Sequence, residues 1–320
     1  MPLRQPVLIV LLALAAASAC RSGAPAVPRV SPAGAAIEPG VLPAAPSAAP
    51  APPVTPGKDD RLGGVLWVQT SAEYRALAVA TFARARAELG RALADLSWTA
   101  ALEQQGAIAA LPPAVIADVD ETLLDNSPYE ADSIRAGLRY EERSWGAWVN
   151  RAQARAIPGA AEFCRYAAER GVTVFYVTNR AASLEEKTRQ NLAAWGFPIA
   201  GDRDTVLMAG ERPEWGSDKG TRRSEVAGSF RILLLVGDDL GDFVSGARAL
   251  PEERVALAER FAEHWQTRWI LLPNPYYGSW ERALSNNERG LSEDEILRRK
   301  VARLRGRDSS DNSANSDDND

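Results

Sequence analysis

Three short apolar runs, each stopping at a cluster of polar residues, constrain the fold of this chain most. Ala114-Val115-Ile116-Ala117 runs into Asp118-Val119-Asp120-Glu121-Thr122. Val172-Thr173-Val174-Phe175-Tyr176-Val177 stops at Thr178-Asn179-Arg180. Ile232-Leu233-Leu234-Leu235-Val236 stops at Gly237-Asp238-Asp239-Leu240-Gly241-Asp242. Short β-rich runs bounded by turn residues predict buried central strands. A further apolar run, Trp269-Ile270-Leu271-Leu272, follows them. Helical patterns lie between and before the runs. Tyr74, Leu77, Ala78, Phe82, Ala85 and Leu89 recur at helical spacing after Thr70-x-x-Glu73, which reads as a capping box. Pro158 and Gly171 bracket a second helix, and Ser183-x-x-Glu186 and Gly196 a third. Strand alternating with helix predicts an α/β fold, a Rossmann-like core with a parallel sheet over roughly residues 112 to 285. The N-terminal helix and the insert at 126 to 157 are expected to form a smaller helical subdomain.

If the strands are parallel neighbours, their polar ends meet at one edge of the sheet. Open α/β sheets bind ligands at that carboxyl edge. Asp118 and Asp120 would emerge there one residue apart. Two like charges this close repel, so one tends to hold its proton unless a cation intervenes. The pair therefore suits a nucleophile, a proton donor and a metal in one place. Thr178 would add a hydroxyl, and Lys219 in Ser217-Asp218-Lys219-Gly220, just before a helical stretch, an ammonium. Hard oxygen donors favour Mg²⁺, which is often shared with phosphate oxygens.

These residues, in this order, resemble the four motifs of the haloacid dehalogenase superfamily of phosphatases. Asp118 and Asp120 match the first motif, Thr178 the second, Lys219 the third, and Asp238 with Asp242 the fourth. The flanks narrow the resemblance. Gln69-Thr70-Ser71-Ala72-Glu73-Tyr74, the stretch from Asp120 to Tyr129, Tyr176-Val177-Thr178-Asn179-Arg180, and Asn274-Pro275-Tyr276-Tyr277-Gly278-Ser279-Trp280 are similar to the class C acid phosphatases. These are bacterial surface lipoproteins of the lipoprotein e type. The likeness spans roughly residues 62 to 285. It implies that Asp118 attacks phosphorus, and that Asp120 acts first as general acid and then as general base. It implies Mg²⁺ on Asp118, on the Asp120 backbone carbonyl and on Asp238, with Asp242 nearby. Thr178, Asn179 and Lys219 would hold phosphate oxygens. Trp145 and Tyr277 would sandwich a nucleotide ring, making nucleoside 5′-monophosphates, nicotinamide mononucleotide and simple aromatic phosphates the expected substrates. Trp148 and Trp280 read equally well as core aromatics. Another reaction of the superfamily, such as phosphoryl transfer or a mutase step, stays open. So does a non-enzymatic surface lipoprotein that binds a ligand in the same pocket.

Other residues read more plainly. His264 is the only histidine and makes neither a triad nor a metal site, so a histidine-type acid phosphatase is excluded. Arg180 reads as a rim ion pair or a substrate contact, Asp125 as a turn cap, Asp239 as structural, and Cys164 as a buried core residue. Residues 1–20 read as a lipoprotein signal, with Arg4, the apolar Val7 to Ala17, and Ala17-Ser18-Ala19-Cys20. A lipid on Cys20 would anchor the protein in the outer membrane of a bacterial cell envelope; plain cleavage before Arg21 or shortly after is the alternative. Residues 21–60 form an Ala/Pro-rich tether, with ten of the 21 prolines between 21 and 57. The phosphatase domain is expected at 61–307, followed by a disordered acidic tail at 308–320. The formal charge is −5; without Arg4 and the five tail aspartates it is about −1. That balance excludes a nucleic-acid partner and leaves a small phosphomonoester as the expected one.

Overall fold

The computed structural model describes residues 59–305. The expected signal, Cys20, nearly all of the tether and the acidic tail lie outside the described residues. The main sheet has five strands: β1 (Pro113–Ala117), β4 (Thr173–Ala181), β5 (Val206–Ala209), β6 (Arg231–Gly237) and β7 (Trp269–Leu271). Their order is β5-β4-β1-β6-β7, and every neighbouring pair is parallel. β1 is central, and the chain visits β4 and β5 on one side before crossing to β6 and β7 on the other. The reversal at β1 creates a crevice beyond the carboxyl ends of β1, β4 and β6.

Both faces of the sheet are buried, which is why the runs are continuously apolar rather than alternating. Val115 and Ala117 of β1 pack on one side with Val174, Tyr176 and Val236. Ala114 and Ile116 pack on the other with Phe175, Val177, Ile232 and Leu235. The register slips between Ala114 and Val115, so that Ala114 faces Ile232 but Val115 faces Leu234. Leu233 thereby joins Leu234 on the first side. Its carbonyl accepts the Trp98 indole N–H at 2.8 Å.

The helices are α1 (Leu62–Thr70), α2 (Ala72–Ala94), α3 (Ser127–Ala136), α4 (Glu142–Asn150), α5 (Ala160–Ala168), α6 (Glu185–Ala194), α7 (Gly220–Ala227), α8 (Pro251–Arg260), α9 (Ala262–Thr267), α10 (Ser279–Leu284) and α11 (Glu293–Ala302). α3 and α4 lie inside the insert, which leaves and rejoins the core through the two-stranded ribbon of β2 (Leu124–Asp125) and β3 (Arg155–Ala156). Among the described residues no helix is long and apolar enough to cross a membrane.

Three local expectations need correction. The N-cap of α2 is Ser71, not Thr70. Ser71 is extended and its hydroxyl accepts the Tyr74 N–H at 3.0 Å, whereas Thr70 ends α1 and donates to the Leu66 carbonyl at 2.7 Å. The expected helix is α2, and α1 is a further helix that ends where that one was expected to open. Ser183 makes no cap for α6; it sits in a 3-10 turn, Ala182–Leu184, and Glu185 starts the helix. Finally, α2 is a covering layer of the sheet rather than part of a separate helical unit. Ala78, Phe82, Ala85, Leu89 and Ala92 are all buried with β1, β4 and α5 residues in one cluster. The Phe82 and Phe163 rings lie 5.8 Å apart.

Candidate active site

Strand ends position the first and fourth motifs. Asp118 follows β1 and donates its N–H to the Val236 carbonyl of β6 at 2.9 Å, which holds the loop after β1 against the end of β6. Asp238 follows β6 directly. Lys219, at the start of α7, reaches across to both. Its Nζ donates to Asp118 Oδ1 at 2.5 Å and to Asp242 Oδ1 at 2.6 Å. Asp118, Lys219 and Asp242 are all buried. Burial pulls the ammonium down, but the two carboxylates outweigh it and hold Lys219 above its ordinary value, so it stays charged.

Asp118, Asp238 and Asp242 each offer a carboxylate oxygen, and these atoms all lie within 4.8 Å of one another. Burial first, then Asp118 and Asp242, push Asp238 well above the usual carboxylate range. Burial pushes Asp242 up to about 7 despite Lys219. Three carboxylates against one ammonium leave excess negative charge in a dry cleft. An all-oxygen donor set of this kind fits a hard divalent cation. Asp242 already uses Oδ1 on Lys219 and Oδ2 on the backbone N–H groups of Asp238 and Asp239, at 3.1 and 2.9 Å. Asp118 and Asp238 are thus the side chains best placed to hold the ion. Asp238 is oriented by Thr122 Oγ1 on Oδ1 and by Asn274 Nδ2 on Oδ2, each at 2.9 Å. The Asp120 side chain turns away from this cluster.

Asp120 is instead held by β4 and the insert. Arg180 Nη2 donates to Asp120 Oδ1 at 2.7 Å, and Asn126 Nδ2 to the same oxygen at 2.9 Å. Thr178 Oγ1 lies 3.4 Å from Oδ2. Thr178 is fully buried. Asn179 links the second motif to the loop before Lys219, donating to the Ser217 carbonyl at 3.0 Å and accepting Arg222 Nη2 at 2.6 Å. Arg222 is buried and also donates to the Thr178 carbonyl at 2.5 Å.

The aromatic residues divide. Trp145 is half-buried on α4, packed edge-on to Tyr129 at 5.2 Å, with the Arg180 guanidinium 5.6 Å from its ring. Tyr277 lies between β7 and α10, and its hydroxyl donates to Glu121 Oε2. Tyr276 donates to Glu121 Oε1 at 3.0 Å. Glu121 is buried with φ +56°, an unusual conformation for a non-glycine residue. Burial, and then Asp120, push its carboxyl well above the ordinary range. Trp148 is core, donating its indole N–H to Asn126 Oδ1 at 2.8 Å, while Trp280 is exposed. Asp239 is structural, accepting the Ser279 N–H and hydroxyl at 2.6 Å each. His264 packs against Trp269, and Cys164 is a free, buried thiol, as expected. Asp125 caps a turn by accepting the Ser127 N–H at 2.9 Å.

With this geometry in place, the family model described as the acid phosphatases of haloacid dehalogenase superfamily subfamily IIIB matches residues 72–280. This chain belongs to that family. The fold is similar to the class C acid phosphatase from Bacillus anthracis, with TM-score 0.69 and 30% identity, over 78% of this chain and 98% of that one. The same Bacillus anthracis enzyme with tungstate bound gives a TM-score of 0.68. Acid phosphatase 1 of Solanum lycopersicum is 29% identical over 168 residues, which is 51% of this chain and 57% of the plant protein. The chain thus spans somewhat over half the length of that curated relative. The expected α/β architecture and the expected class C acid phosphatase likeness both hold for this subfamily IIIB member.

Proposed function

We propose that the protein is a Mg²⁺-dependent phosphomonoester hydrolase that works through an aspartyl-phosphate on Asp118. The observation that carries this reading is the buried bridge of Lys219 between Asp118 and Asp242, beside Asp238, at the carboxyl edge of the sheet. The class C phosphatase likeness supports the reaction class. The tungstate held by the Bacillus anthracis protein supports an oxyanion pocket, since tungstate has the tetrahedral oxyanion form of phosphate.

Asp118 supplies the carboxylate oxygen that attacks phosphorus. Asp120 protonates the leaving oxygen, then takes a proton from the water that cleaves the Asp118–phosphorus bond. Lys219 supplies a fixed positive charge to the phosphate oxygens, and in this reading Thr178 and Asn179 hold phosphate oxygens too. A Mg²⁺ held by Asp118, Asp238 and the Asp120 carbonyl would neutralise charge between the anionic nucleophile and the anionic substrate.

The substrates of this reading are nucleoside 5′-monophosphates and nicotinamide mononucleotide, stacked between Trp145 and Tyr277. Aromatic stacking tolerates many rings, because every base presents a π-face. The Arg180 guanidinium, which also holds Asp120, lies 5.6 Å from the Trp145 ring, and Tyr277 bonds Glu121 beside Asp120, which supports this. Tyr277→Ala should raise the KM for a nucleotide more than that for a simple alkyl phosphate; an unchanged nucleotide KM would remove the sandwich. We place the protein in the bacterial outer membrane, anchored by a lipid on Cys20. Phosphate release from a nucleoside 5′-monophosphate at mildly acidic pH, with Mg²⁺ and with EDTA, tests the activity. Turnover that needs the metal is expected. A folded protein that binds nucleotide without turnover would favour the ligand-binding alternative.

A further inference from the structure

We propose that Arg180 and Asn126 form a clamp that aims Asp120 and makes its Oδ2 the oxygen that carries the reacting proton. The inference rests on the phosphatase reading above and adds two positioning residues to it.

The two oxygens of Asp120 are unequal. Oδ1 accepts Arg180 Nη2 at 2.7 Å, Arg180 Nε at 3.0 Å and Asn126 Nδ2 at 2.9 Å. Three donors saturate the lone pairs of one carboxylate oxygen. Oδ2 has only the longer branch of Arg180 Nε, at 3.2 Å, and Thr178 Oγ1 at 3.4 Å. Oδ2 therefore keeps acceptor capacity, and it faces the second-motif threonine.

The clamp is itself fixed from behind. The Arg180 side chain is 1% exposed and its Nη1 donates to Thr188 Oγ1 at 3.1 Å. Thr188 in turn donates to the Leu184 carbonyl at 2.9 Å. Asn126 cannot flip its amide without breaking two bonds, since Oδ1 accepts Trp148 Nε1 at 2.8 Å while Nδ2 serves Asp120. Its N–H donates to Glu121 Oε1 at 2.9 Å. A planar guanidinium fork fixes a carboxylate in orientation as well as position, which an ammonium does not.

The chemistry follows atom by atom. Asp118 forms a bond to phosphorus as the bond from phosphorus to the leaving oxygen breaks. The proton on Asp120 Oδ2 passes to that leaving oxygen. A water oxygen then bonds to phosphorus and its proton returns to Oδ2. The Asp118–phosphorus bond breaks and inorganic phosphate departs. Oδ1 stays on Arg180 and Asn126 throughout, so the acid is aimed before the substrate arrives.

The test compares leaving groups. 4-Nitrophenolate departs with little help from an acid, whereas an alkoxide needs a proton. The value of kcat/KM covers the steps up to the phosphoenzyme, so it reads proton donation. Arg180→Lys and Asn126→Asp are measured with 4-nitrophenyl phosphate and with a simple alkyl phosphate. Asn126→Asp is isosteric and keeps the bond from Trp148, so it reports on the clamp even if Arg180→Lys does not fold. We expect kcat/KM for the alkyl ester to fall by roughly 10²-fold, within the usual range of acid–base contributions, and that for the nitrophenyl ester by less than about tenfold. Equal losses with both esters in folded variants would overturn the clamp. A wild-type protein inactive on both esters would instead overturn the phosphatase reading.

Discussion

At the scale of single residues, Asp242 is placed by what stands opposite it. A Cβ on Gly237 would lie 2.3 Å from Asp242 Oδ2, so only glycine lets that carboxylate fold back onto the Asp238 and Asp239 N–H groups. Gly237→Ala should displace Asp242 from Lys219 and lower kcat by more than about tenfold, as expected when a charged group in a preorganised site is misplaced. Full activity in that variant would show that Asp242 has no part in holding Lys219. Proton linkage gives a second prediction. Asp242 is pushed up to about 7, and Asp238 also lies well above an unfolded aspartate near 3.9. The folded state therefore binds these protons more tightly than the unfolded state. The Asp242 contribution is present in full below about pH 3.9 and is lost as pH rises through about 7, and that of Asp238 is lost as pH rises through its own raised value. Melting temperature in EDTA should fall across that window, and Mg²⁺ should restore it at neutral pH. Curves insensitive to both would contradict the charge cluster. Asp118, Asp120 and Asp238 were legible in the sequence because strand ends announce them, whereas Lys219, before α7, was legible only by its place in the motif order. The role of Arg180 was not, because the run at 172–177 reads as if the strand stopped there. β4 in fact continues to Ala181, and residues two apart share a face. Thr178 and Arg180 therefore both reach Asp120.

At the scale of elements, the apolar runs predicted β1, β4, β6 and β7 because strands buried on both faces leave continuous apolar sequence. β5 was missed, since Val206–Ala209 is only four residues, too short an apolar run to stand out beside the others. The placement of α2 was missed for a different reason. Helical periodicity says that a face is buried but not against what. That face covers the sheet, and Phe82 fills the space beside Phe163 and Gly159. Phe82→Ala should cost about 3–5 kcal/mol, the usual range for deleting a buried phenyl ring. Urea unfolding measures it; a loss below about 1 kcal/mol would mean that α2 is not an integral layer of the core.

At the scale of the whole molecule, a two-sided α/β core brings the ends of β1, β4 and β6 together, while the insert supplies Asn126 and Trp145 from above. The expected signal and tether extend the proposal to location. Cys20→Ser should move the protein from the membrane fraction to the soluble periplasmic or secreted fraction with its turnover unchanged, since Cys20 has no part in the chemistry. Persistent membrane association would remove the lipid anchor. The central claim is that Asp118 is the nucleophile of a metal-dependent phosphatase. The most direct measurement is phosphate release by the full chain and by Asp118→Asn, with Mg²⁺ present, at mildly acidic pH. The account predicts turnover in the wild type and none above background in Asp118→Asn, with both proteins melting cooperatively. An Asp118→Asn protein that kept near-normal rates would contradict it.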